Sequence, residues 1–137
     1  MAYLIDTNII SEIQKGNKAD PGVKKWYATV DEDQIYLSVL VMAELQQGIE
    51  LLRRRDVKQA KILDKRMRTF RETMEDRILP INLNIAMRWA KNNVPDRFPV
   101  IDGLLAATAI EYDLTLVTRN VKDVERSGAR LLNPFEH

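Results

Sequence analysis

Three segments of this chain end an apolar run directly on a carboxylate. They are Ala2-Tyr3-Leu4-Ile5-Asp6, Val39-Leu40-Val41-Met42-Ala43-Glu44 and Val100-Ile101-Asp102, the last continuing as Gly103-Leu104-Leu105-Ala106-Ala107-Thr108. An ionised carboxylate beside a core is costly unless it is paired, hydrogen-bonded or bound to a metal. Three such carboxylates, distant in sequence and similarly placed, suggest convergence on one cation. Each also has a plainer reading. Asp6 and Asp102 could cap helices, and Glu44 could lie on a helix surface, although Val41, Leu45 and Gly48 suggest that its face is partly buried. Asn120 and Asp123 read singly as turn or cap residues.

The rest of the inventory narrows the chemistry. The 137 residues contain no Cys, and the single His is His137. Disulfides and thiolate zinc sites are excluded, as are Ser-His-Asp and Cys-His catalysis or a His-based zinc centre inside the fold. What remains is carboxylates, hydroxyls, amides and basic side chains, a set suited to a hard divalent ion. Net charge is +1, but it is unevenly spread: residues 53–77 hold ten Lys/Arg against five Asp/Glu, and the other 112 hold 11 against 15. A basic segment beside an acidic body could attract a polyanion, or could be a solvated helix face laced with ion pairs.

Positioning these groups requires a frame. Short apolar runs alternate with longer segments of 3.6-residue period, which points to α/β architecture in a single domain, residues 1–137. Strands are expected at 3–6, 35–37, 78–81 and 115–118, with an edge strand at 130–132. Helices are expected near 8–14, at 23–30 behind Asp20-Pro21, at 39–52 capped by Ser38, and at 56–75. Another contains Ala86, Trp89 and Ala90 behind Asn82 or Asn84, and a last one runs from Asp102 to Tyr112. Ala60, Leu63, Met67, Phe70 and Met74 form one apolar stripe that fits a core or a dimer seam. In a parallel sheet, functional groups gather at strand carboxyl ends and the helix starts that follow. Asp6, Asp102, Asn120 and Asp123 fit that edge, and Glu44 is early enough in its helix to project over it. No apolar stretch reaches the roughly 18–20 residues that span a bilayer, and no basic-then-apolar leader opens the chain. A cytoplasmic protein with no membrane partner is expected.

Leu4-Ile5-Asp6-Thr7-Asn8, Met42-Ala43-Glu44-Leu45, Ile101-Asp102-Gly103-Leu104-Leu105-Ala106-Ala107-Thr108-Ala109 and Leu116-Val117-Thr118-Arg119-Asn120-Val121-Lys122-Asp123 resemble the signature segments of PIN-domain nucleases. The resemblance is strongest to the VapC and FitB-like toxins of type II toxin–antitoxin pairs, and the closing segment 129–136 is similar to that subgroup's C-terminus. The resemblance implies a three-layer αβα domain with a central, mostly parallel sheet of four to five strands. It further implies a Mg²⁺- or Mn²⁺-dependent ribonuclease in which activated water attacks phosphorus in line with the leaving oxygen. Asp6 and Asp102 would be direct ligands, Glu44 a ligand or an orienter of water, and Asp123 would act through water. Many relatives carry an acid where this chain has Asn120, so the fourth acidic role is divided between Asn120 and Asp123. Asn8, Ser38, Thr118 and Asn120 would hold the carboxylates or a phosphate in place, while Arg119, Arg53, Arg54 and Arg55 could contact nucleic acid. Implied partners are RNA, a second copy of the chain, and a DNA-binding antitoxin that blocks the site. An alternative reading makes the chain a subunit of an antitoxin-bound DNA-regulatory complex, its nuclease activity latent. A phosphoryl-accepting receiver domain would also put Asp6 and Thr118 at strand ends, but it needs a paired acid and a Lys that this chain does not place.

Overall fold

The computed structural model describes residues 1–136, and His137 lies outside them. Five strands, β1 (Tyr3–Ile5), β2 (Ile35–Ser38), β3 (Ile78–Leu79), β4 (Thr115–Val117) and β5 (Arg130–Leu132), form one sheet in the order β3-β2-β1-β4-β5. Every pairing is parallel, with Tyr3 beside both Ile35 and Thr115. β1 is thus central. The chain builds outward from it in one direction through β2 and β3, then returns to its other side for β4 and β5. Parallel neighbours need crossover connections, and helices supply each of them. The result is the three-layer αβα sandwich that the sequence led us to expect.

The helices start where local chemistry favours them. Asp6 stands at the N-cap of α1 (Thr7–Ile13), and Asp20, followed by Pro21, caps α2 (Pro21–Thr29). Ser38 accepts from the Leu40 N–H at 3.0 Å and so caps α3 (Val39–Arg53). Asp56 caps α4 (Val57–Thr73), and Asn82 caps α5 (Leu83–Asn92), accepting from the Ile85 N–H at 2.9 Å. Such caps satisfy amide donors that have no partner within the helix, each contributing roughly 1 kcal/mol. α6 (Val100–Glu111) begins two residues before Asp102, with Pro99 at its cap position, so Asp102 sits in the first turn rather than opening the helix. A four-residue helix, α7 (Val121–Val124), was not expected from sequence. β3 is shorter than expected because Pro80 has no N–H to continue the ladder.

The sheet is buried on both sides, as continuous apolar strands predict. Leu4, Ile5, Leu37, Leu116 and Val117 are almost fully buried, together with Ile9, Val23, Val41, Leu105 and Ala106 from the helices. The stripe on α4 faces inward. Ala60 and Met67 pack with Ile49 of α3, and Phe70 and Met74 join the main core. Core, not seam, accounts for that stripe. None of the helices among the described residues is long and apolar enough to cross a membrane.

Candidate active site

The sheet order reverses between β1 and β4, and a crevice forms at the carboxyl ends of strands at such a point. Asp6 follows β1 and Thr118 follows β4. The Thr118 hydroxyl donates to Asp6 Oδ2 at 2.7 Å, a bond between residues 112 apart in the chain. Asn8 Nδ2 donates to the same oxygen at 3.3 Å, and the Thr7 N–H donates to Asp6 Oδ1 at 2.7 Å. Asp6 is therefore both a helix cap and a fixed carboxylate. Only 5% of it is exposed. Burial pushes its pKa up, the bonds from Thr118 and Thr7 pull it down, and the Glu44 charge raises it again; the balance is upward.

Glu44 lies on the first turns of α3, and its Oε1 accepts from the Thr7 hydroxyl at 2.6 Å. Thr7 thus links two carboxylates, through its backbone to Asp6 and through its side chain to Glu44. Asp102 has no such support: none of the described residues donates a hydrogen bond to its side chain. Burial pushes its pKa up to about 6, and the charges of Asp6, Asp123 and Glu44 add to the rise. Four carboxylates from α1's cap, α3, α6 and α7 therefore act on one another across one crevice. Among the described residues, however, no three Asp, Glu, His or Cys side chains close into a ready-made ligand cage. The donor set, all hard oxygen, suits Mg²⁺ or Mn²⁺, and Mg²⁺ characteristically takes one or two carboxylates and fills its octahedron with water.

A sequence model of the PIN domain matches residues 3–126. The chain belongs to the PIN-domain family. This PIN domain is 32% identical to the ribonuclease VapC of Rickettsia bellii over 133 residues, covering 92% of this chain and 90% of that protein. It is 28% identical to the toxin FitB of Neisseria gonorrhoeae over 138 residues, covering 96% and 97% respectively. The solved structure of FitAB bound to an IR36 DNA fragment superposes with a TM-score of 0.88 at 27% identity, covering 98% of this chain and 96% of that one.

The remaining candidates take different places around the PIN-domain crevice. Asn120 presents its backbone N–H to the Thr118 hydroxyl at 3.0 Å, while its side chain makes no cap bond to α7. Asp123, exposed on α7, is the nearer source of charge, since it is Asp123 that acts on Asp102. Ser38 is fully buried and occupied in capping α3 rather than in holding a carboxylate. The Arg119 N–H reaches Asn8 Oδ1 at 3.4 Å, and the Arg119 guanidinium stacks on Phe135. Arg53 is engaged by Glu50 at 3.0 Å and by Asp64 of α4, whereas Arg54 and Arg55 are exposed. Sequence reading missed Thr7, although it lies between two residues that were singled out. A side chain tying Glu44 to Asp6 is a tertiary contact, and only the unbroken Asp-Thr-Asn run hinted at it.

A groove of about 750 Å³ opens beside the crevice. Thr7 and Glu44 stand at its margin, Ser11, Lys15 and Arg66 line its walls, and Leu45, Ile49 and Met67 supply apolar surface between α1, α3 and α4.

Proposed function

We propose that this chain is a divalent-metal-dependent endoribonuclease, the toxin of a toxin–antitoxin module. The observation that carries this reading is the set of four mutually repelling carboxylates, Asp6, Glu44, Asp102 and Asp123, at the sheet's point of reversal. The names of its relatives, a ribonuclease VapC and a toxin FitB, support the substrate and the setting. Asp6 and Asp102 would hold the ion. Thr118, Asn8 and the Thr7 amide orient Asp6 and oppose the rise in its pKa, and the Thr7 hydroxyl holds Glu44, which would orient a water bound to the ion. Asp123 acts through water from α7. The chemistry that a bound Mg²⁺ or Mn²⁺ supplies is activation of water and neutralisation of charge on the phosphodiester. The in-line attack leaves the phosphate on one product and a hydroxyl on the other.

An antitoxin segment covers the crevice and its adjoining groove, and that complex binds DNA, a reading favoured by the relative solved as FitAB on a DNA fragment. A second copy covers the apolar side chains left exposed on α5 and α6, among them Leu83, Met87 and Val100. The nuclease test compares cleavage of single-stranded and structured RNA in Mg²⁺ or Mn²⁺ by wild type, Asp6→Asn and Asp102→Asn. Each variant should lose at least a hundredfold in rate, about 2.7 kcal/mol of transition-state stabilisation. Equal rates for all three proteins would remove the carboxylates from the mechanism.

A further inference from the structure

The Arg119 guanidinium carbon lies 4.5 Å from the centre of the Phe135 ring, within the range of a cation–π contact. Phe135 is itself anchored: it is half-buried against the main core, and its N–H donates to Asn133 Oδ1 at 3.0 Å. The preceding β5 residue Leu132 accepts the Thr118 N–H at 3.0 Å, which ties this tail to the same loop that delivers Thr118 to Asp6. Arg119 is thus fixed at both ends, by its backbone on Asn8 and by its head on Phe135. The ion pairs among the described residues use Lys15, Arg53, Arg77, Arg88 and Arg130, leaving Arg119 without a carboxylate partner. A guanidinium lying over a ring keeps its in-plane N–H donors facing outward, the geometry that grips a phosphate.

We propose that Phe135 is a positioning residue, holding Arg119 at the rim of the carboxylate crevice to bind a backbone phosphate of single-stranded RNA adjacent to the one that is cut. The proposal rests on the nuclease reading for its substrate, but not for its test. A positive charge beyond the four carboxylates offsets their repulsion of an incoming polyanion, and its value depends on being held still. An unstacked Arg would have to surrender side-chain freedom on binding.

The experiment titrates a short fluorescent single-stranded RNA with the full chain in chelator over a range of salt, and measures cleavage separately in Mg²⁺. Arg119→Ala should weaken binding about fivefold and lower the slope of log affinity against log salt by roughly 0.7, the loss of one single-strand phosphate contact. Phe135→Leu, with thermal stability checked alongside, should weaken binding about threefold. Phe135→Trp should restore the wild-type value. In an Arg119→Ala background, Phe135→Leu should add nothing, because the two residues act as one unit. Wild-type affinity in Phe135→Leu, independent additive losses, or no RNA binding by the wild type would each overturn the proposal. Failure of the nuclease reading looks different: intact, Arg119-dependent binding with no cleavage in Mg²⁺.

Discussion

Asp6 and Asp102 share a crevice but differ in support. Asp6 takes three hydrogen bonds, two of them at 2.7 Å, whereas Asp102 takes none from the described residues. The difference has a pH signature. Burial and the neighbouring carboxylates push the Asp102 pKa up to about 6, against 3.8 for an ordinary aspartate, so folding favours its protonated form. That contribution is complete below pH 3.8 and is lost as pH rises through about 6. Asp102→Asn mimics the protonated state and escapes the loss. In chelator, the variant should match wild type in urea near pH 4 and exceed it by roughly 1 kcal/mol at pH 7.5, a figure discounted for water around a part-exposed group. A constant difference across pH would argue against charge repulsion at this residue. Activity and stability then pull in opposite directions at one side chain.

Among the elements, α3 carries an anomaly. Gly48 lies in its interior, exposed, and a Cβ built there would meet nothing within 4 Å. Glycine in mid-helix is worse than alanine by about 0.5–1 kcal/mol, and no internal packing here explains it. Gly48→Ala should therefore stabilise the protein by roughly that amount in thermal or urea unfolding. A destabilised variant would mean that α3 is strained at this turn. Gly103 is the contrasting case, since an added Cβ would come within 3.1 Å of Phe98 Cβ and 3.2 Å of the Trp89 ring. Its bareness lets α5 and the loop before α6 press against the helix that carries Asp102.

Elements were also the scale at which the sequence was most legible. Apolar runs bounded by Asp, Pro and Ser marked β1, β2 and β4 together with the starts of α2 and α3, because strand burial and capping are local chemistry. The start of α6 was misplaced by two residues because Asp102 resembles a cap, while the actual cap position holds Pro99. α7 escaped notice since four residues carry too little periodicity to read. Within the site, the candidates Asp6, Glu44, Asp102 and Asp123 were legible by type, and their electrostatic coupling bears on that grouping. Thr7's bond to Glu44 and the pairing of Arg53 on α3 with Asp64 on α4 depend on contacts between segments, which no local pattern encodes.

For the molecule as a whole, the crevice is a concentration of negative charge that folding must tolerate. Any ligand that binds only the folded state raises its apparent stability by mass action. Adding Mg²⁺ at tenfold its dissociation constant should then raise the melting temperature by about 4 °C at pH 7.5, corresponding to ~1.4 kcal/mol. The gain should shrink sharply at pH 5, where Asp102 is largely protonated, and in Asp102→Asn. An equal rise in all three conditions would mark the effect as general ionic screening rather than occupancy of this site.

The hydrogen bond from Thr118 to Asp6 joins the end of the fourth strand to the end of the first. During synthesis, β1 through α6 emerge from the ribosome before β4 exists, so three of the four acids are present with Asp6 still lacking its strongest partner. Parallel pairing of β4 beside β1 is a late, long-range event with a high loop-closure cost. Until β4 pairs with β1, Asp6 lacks the Thr118 bond, so the order of folding makes the completed crevice one of the last features the chain acquires.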